Sequence, residues 1–118
     1  MEFQNVSHQI TSFGQRHPFL FEQQKIRAEY LEFHFSGRPH LHEDLTEHFY
    51  VLEGKGEIFC GDQASVLKAG DLFVIPAQTS HWMRPTEGTL IKALIWYSQQ
   101  KLNVTDFNQF EKCSSQKQ

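Results

Sequence analysis

The sequence predicts an all-β domain, an antiparallel sandwich or barrel. Three observations predict it. Apolar runs of four to nine residues recur along the chain with turn residues between them. Aromatic residues make up 14% of the chain, eleven of them Phe, and such side chains pack well on pleated surfaces. No central stretch shows a convincing helical period. With 118 residues, 39% of them apolar, the chain can form one domain around one core.

The elements follow in order. Residues 1–25 are mixed and polar, an N-terminal arm with Gly14 and Pro18 as breakers and Phe19-Leu20-Phe21 as a short edge strand. From Ile26 to Phe35 alternation predicts a strand with Leu31, Phe33 and Phe35 on one face and Ile26, Ala28, Tyr30, Glu32 and His34 on the other. Ser36-Gly37-Arg38-Pro39 is a turn signal. His48 to Leu52 is a strand that is apolar at nearly every position. Its hairpin partner, Glu57 to Cys60, follows the glycines of Glu53-Gly54-Lys55-Gly56. Gly61-Asp62 turns the chain into a short apolar strand, Ala64 to Leu67, and Lys68 to Asp71 turns it again. Leu72 to Ile75 reads as a buried strand stopped by Pro76, and Gln78 to Ser80 loops into His81-Trp82-Met83. After the turn from Pro85 to Gly88, Thr89 to Tyr97 is a long apolar strand. Residues 98–118 are rich in Gln, Lys, Ser and Asn, with Leu102, Val104, Phe107 and Phe110 at helical spacing. They read as a short helix or arm with a disordered end.

Composition excludes several functions. The net charge is −3 and no Lys/Arg cluster points to nucleic acid. No apolar run approaches the roughly 18 residues of a membrane span, and the start lacks the basic and apolar regions of a signal peptide. Cys60 and Cys113 form no CxxC pattern and read as free thiols of a reducing compartment, Cys60 in the core. A cytoplasmic protein is the expectation.

The chemistry concentrates in His40-Leu41-His42-Glu43-Asp44-Leu45-Thr46-Glu47. In a strand His40 and His42 share a face. Glu47 is an odd number of residues from His42, so it joins that face only if the stretch Glu43–Thr46 bends or bulges. Two neutral imidazoles and a carboxylate on one point suit a divalent metal. His48, next to Glu47, should face the other way.

These residues resemble the two motifs of the cupin family. The first matches as His40-x-His42, four residues, Glu47, six residues, Gly54. The second matches as Gly70, five residues, Pro76, then Gln78 and His81 in the spacing of Pro-x-Gly-x-x-His. The resemblance covers roughly residues 26–97 and implies an antiparallel jelly-roll barrel with a short C-terminal arm or helix. It also implies one divalent transition metal (Fe, Mn, Ni, Cu or Zn) held by His40, His42, Glu47 and His81. Gln78 stands where the family has Gly, so that turn is expected to avoid a conformation only Gly tolerates. Pro85 replaces a closing Asn. The opening Gly of the first motif would fall at His34, leaving Gly37 as its nearest substitute.

Around this centre, His34 reads as a surface histidine or a support for the ligands, and His8 and His17 as solvated. Phe49, Val51, Phe73, Ile75 and Met83 are expected near the site, with any remaining cavity small and mostly apolar. Tyr30 and Glu32 line it only if their face turns inward. Arg38 and Arg84 flank the ligand strands, within reach of an anion at the mouth. The functional expectation is a small metal-dependent enzyme, dioxygenase-like or else an isomerase or lyase, acting on a small organic acid, phenol or carbonyl compound. Glu47 would be its mobile ligand and proton acceptor. The alternative is a non-catalytic small-ligand binder or sensor. A homodimer is expected, because small jelly rolls leave sheet edges to cover.

Overall fold

The computed structural model describes residues 8–21, 26–99 and 114–115. The described residues form strands and loops with no helix. In chain order the strands are β1 (Gln9–Ile10), β2 (Gly14–Phe21), β3 (Ile26–Phe33), β4 (His40–Leu41), β5 (Leu45–Glu53) and β6 (Lys55–Cys60). They continue with β7 (Gln63–Lys68), β8 (Leu72–Ile75), β9 (His81–Pro85), β10 (Ile91–Gln99) and β11 (Ser114–Ser115). Two antiparallel sheets result, one ordered β1-β2-β3-β10-β5-β8 and the other β11-β4-β9-β6-β7. The crossovers between sheets fit a jelly roll.

The core lies between the sheets and is built by alternation. Leu31 and Phe33 of β3, Phe49 and Val51 of β5, and Ile91, Ala93 and Ile95 of β10 come from one sheet. Ile58, Leu67 and Met83 meet them from the other. On β5 the buried positions are Leu45, Glu47, Phe49 and Val51, so Glu47 shares the core-facing side with hydrocarbon. Gly54 carries the β5–β6 hairpin at φ +93°, and a Cβ there would collide with the Leu90 carbonyl oxygen.

Several expectations are corrected. The strand expected over Ile26–Phe35 ends at Phe33, and Phe35 is exposed rather than continuing the buried face. The segment Leu72–Ile75 is an edge strand, not a fully buried one: Ile75 is buried, while Leu72 and Val74 are 52% and 55% exposed. β7 is likewise an edge, with Val66 outward and Leu67 inward. The edge strand expected at Phe19–Phe21 is the end of the longer β2, which pairs with β3 along its whole length. The helix expected near residues 102–110 lies outside the described residues.

Candidate metal centre

Three short stretches bring the ligand-type side chains together. β4 carries His40 and leads into His42. The chain bends at Glu43–Asp44, and β5 begins at Leu45 with Glu47 on its inner face. That bend supplies the change of phase that the odd spacing requires. β9 opens with His81, which pairs directly with His40 of β4. One nitrogen from each of His40, His42 and His81 and one oxygen of Glu47 all lie within 4.8 Å of one another. His48 faces the other way, its ring stacked on Trp96 and its Nε2 3.1 Å from the Ser98 hydroxyl.

The hydrogen bonds orient the rings. The Nδ1 of His81 lies 2.9 Å from the Thr79 carbonyl, and the Nδ1 of His40 lies 2.9 Å from the Arg38 carbonyl. A carbonyl only accepts, so both Nδ1 atoms carry the proton and both Nε2 atoms are left for ligation. A second ring nitrogen bound to a backbone carbonyl is the usual support of a metal-ligating histidine. Glu47 Oε1 sits 3.0 Å from His42 Nε2 and 3.2 Å from His81 Nε2. Neighbouring donors on an ion at about 2.1 Å are separated by roughly 3 Å, so this spacing suits a shared ion. Three imidazoles and one carboxylate leave a divalent ion with net charge +1, a donor set fit for first-row transition metals.

The electrostatics agree with that fit. Glu47 is only 2% exposed. Burial pushes its pKa up, but its interactions with the His42 and His81 side chains outweigh burial and hold the carboxyl well below its usual range. Burial lowers the pKa of His81, yet Glu47 reverses this and leaves it raised. Burial, then the charge of His81, lowers that of His40. A carboxylate held ionised against burial is a group ready for a cation.

His40, His42 and Glu47 line a cavity of about 720 Å³. Its apolar wall includes Leu31, Phe33, Phe49, Met83 and Ile95. The cavity is mostly apolar, as expected, but at this volume it is not small, and Arg16, Arg27, Arg38 and Glu29 line it too. Phe49 and Met83 border the cavity as expected. Val51 and Ile75 pack in the core, and Phe73 packs against it. Arg38 lines the cavity, whereas Arg84 binds Glu57 at 2.7 Å outside it. Tyr30 and Glu32 occupy the opposite face of β3, hydrogen-bonded to each other at 2.8 Å. His34 and His8 are exposed, while His17 is half-buried against Tyr30. Cys60 is half-buried against the core, its thiol pKa raised by burial and by the charge of Glu47.

The Gln78 turn is also corrected. Gln78 keeps the left-handed conformation, at φ +61°, instead of avoiding it. Its N–H donates to the His42 carbonyl at 2.6 Å, so the strained turn is tied to a ligand residue. Gly37 fixes the other side, donating to the Met83 carbonyl at 2.8 Å.

Glu29, the buried carboxylate overlooked in the sequence, had a signal. It lies two residues before Leu31 and so shares the inward face of β3.

Comparisons with known proteins agree with this geometry. The family model for the cupin domain matches residues 29–97. Over 102 residues the chain is 30% identical to a protein from Methylococcus capsulatus named acireductone dioxygenase, covering 83% of this chain. The chain spans about half the length (50%) of that relative. Among solved structures, a cupin-2 domain protein from Rhodospirillum rubrum superposes with TM-score 0.71 at 16% identity, covering 86% of this chain and 77% of that one. A predicted oxalate decarboxylase from Thermotoga maritima superposes with TM-score 0.67 at 22% identity, covering 80% and 91%. The domain match, with the two-sheet fold behind it, means that this chain belongs to the cupin family.

Proposed function

We propose that this cupin is a small metal-dependent enzyme, dioxygenase-like, whose His40, His42, Glu47 and His81 hold one divalent ion of iron, manganese, nickel, copper or zinc. The observation that carries the reading is the convergence of four ligand-type side chains within 4.8 Å, three of which (His40, His42 and Glu47) line a cavity of about 720 Å³. A bound ion supplies Lewis acidity or, if iron, copper or nickel, access to dioxygen chemistry. The substrate class is a small organic acid, phenol or carbonyl compound, small enough for the cavity and attracted by Arg38 on its lining. Glu47 takes the catalytic role beyond ligation. Its Oε1 receives both histidine contacts, and a carboxylate that loosens from its partners can accept a substrate proton. The buried apolar wall keeps bulk water away from that transfer. Similarity to a protein named as a dioxygenase favours oxygenase over isomerase or lyase.

The unit carrying the metal ligands is residues 26–97, with residues 1–25 as an N-terminal arm whose strand β2 joins the sheet of that unit and 98–118 as a C-terminal tail. The protein works in the cytoplasm, without nucleic acid or membrane, as a homodimer. No helix among the described residues is long and apolar enough to cross a membrane. Tyr50, Leu52, Leu72 and Val74 stand exposed on β5 and β8, an apolar face that suits a second copy. Sedimentation as a monomer at every concentration would contradict the dimer.

The enzyme reading is tested by oxygen uptake. Protein loaded with each metal in turn is screened against small acids, phenols and diketones. Uptake with one metal that Glu47→Gln abolishes supports the reading. Tight binding of a small molecule with no turnover, and no need for metal, would favour the alternative of a non-catalytic binding or sensing cupin.

A further inference from the structure

The cavity holds a second polar cluster that the four ligands do not use. Glu29 stands on the inward face of β3, in phase with Leu31 and Phe33, where the strand otherwise presents hydrocarbon. It is only 5% exposed. Arg16 Nε donates to its Oε1 at 2.7 Å, and the Tyr97 hydroxyl lies 3.5 Å from its Oε2. All three residues line the cavity that contains His40, His42 and Glu47.

Tyr97 joins the two clusters. Its ring packs edge-on against His42, with centroids 5.1 Å apart, and its partner across β5 is Glu47. Glu29 pairs with Ile95, two residues from Tyr97 on the same strand. Strand spacing and rise then separate the backbones of Glu29 and Glu47 by roughly 12 Å. Both side chains point inward. The gap takes a molecule of a few heavy atoms.

The ion pair is not needed to hold β2 on β3, because the register runs unbroken from Gly14 opposite Phe33 to Phe21 opposite Ile26. A buried pair adds little net stability over well-packed hydrocarbon. A carboxylate kept here at the cost of burial has its better explanation in a ligand.

We propose that Glu29, held by Arg16 and bordered by Tyr97, is a second ligand-contacting group of the cavity, placed to hydrogen-bond the terminal hydroxyl of a small hydroxy acid whose carboxylate lies at the four-ligand cluster. The assignment rests on the metal-centre reading above. Three arginines against Glu29 and Glu47 give the lining a formal charge of +1 before any ion is counted, which favours an anionic head group. The head group belongs at the ligand cluster, since Glu29 repels anions. A hydroxyl satisfies the other end, donating to Glu29 while accepting from Tyr97 or Arg16. Burial also raises the pKa of Glu29, against the pull of Arg16, so this carboxyl can hold a proton closer to neutrality than an exposed one.

Calorimetry on Mn(II)-loaded protein tests the proposal. The probes are glycolate, 3-hydroxypropionate and 4-hydroxybutyrate, each against its parent acid, acetate, propionate or butyrate. One chain length should bind about tenfold tighter than its parent in the wild type. Glu29→Gln should shrink that preference and Glu29→Leu should remove it, both keeping wild-type manganese content and affinity for the parent acid. Arg16→Gln, at a half-exposed position, should also shrink it and serves if Glu29→Leu does not fold. A loaded wild type with no preference at any length, or a preference that survives these substitutions, overturns the proposal alone. A wild type that takes up no manganese overturns the metal-centre reading, and the proposal with it.

Discussion

The two ends of the cavity are built in opposite ways. At one end β4, β5 and β9 place three imidazoles around one carboxylate, and Glu47 is held ionised despite burial. At the other end β2, β3 and β10 place a guanidinium and a phenol around Glu29. Its pKa stays raised, because a single arginine does not repay burial. Two glutamates in one cavity are thus driven apart by their partners. The split keeps Glu47 ionised beside the site for a cation and leaves Glu29 the more readily protonated of the two.

The largest test of this contrast removes part of the apolar wall that the two ends share. Phe49 is fully buried in the core and borders the cavity. Phe49→Ala should cost about 3–5 kcal/mol, measured by urea unfolding. A loss under 1 kcal/mol would mean that the wall is loosely packed.

A pH profile of the metal-free protein sharpens the contrast by sign. The native pKa of Glu47 is lowered, so its contribution to stability is present above the ordinary value of 4.5 and is lost as pH falls below it. That of Glu29 is raised. Its contribution is fully present below 4.5 and is lost as pH rises through its higher native value. Glu29→Gln should therefore flatten the decline in stability above pH 4.5, while Glu47→Gln should flatten the decline below it. Identical profiles in the two variants would erase the distinction.

Gln78 makes a smaller test. A left-handed conformation costs a non-glycine residue roughly 1–2 kcal/mol, part of which glycine returns as chain entropy. Gln78→Gly should stabilise the fold by about 0.5–1 kcal/mol without changing metal content. Destabilisation would mean that the Gln78 side chain contributes something the backbone does not explain. The smallest effect belongs to Arg84, whose exposed pair with Glu57 lies outside the cavity. Arg84→Ala should change stability by less than about 1 kcal/mol and leave small-anion binding unaltered.

The two ends also differ in how far the sequence reveals them. His40, His42 and Glu47 fall within eight residues, and the odd spacing to Glu47 already demands the bend found at Glu43–Asp44. Strand period and turn residues likewise locate most of β3 to β10. The Glu29 end is different, because Arg16, Glu29 and Tyr97 meet only through strand pairing across 13 and 68 residues. Parity with Leu31 was the one local signal for Glu29, overlooked in the sequence, and nothing local marked its partners. Edge position is equally non-local, which is why Leu72 and Val74 read as buried although no strand beyond β8 covers them.

The central claim is that His40, His42, Glu47 and His81 form one metal site, and the direct measurement is elemental analysis of chelator-free protein. Wild type and His48→Ala should each carry about one transition metal per chain, and His42→Ala should lose most of it. The wild type should also release its metal on acidification, as imidazoles with ordinary pKa near 6.5 take up protons. A wild type that stays metal-free after reconstitution, equal loss in His42→Ala and His48→Ala, or full retention at about pH 4 would contradict the account.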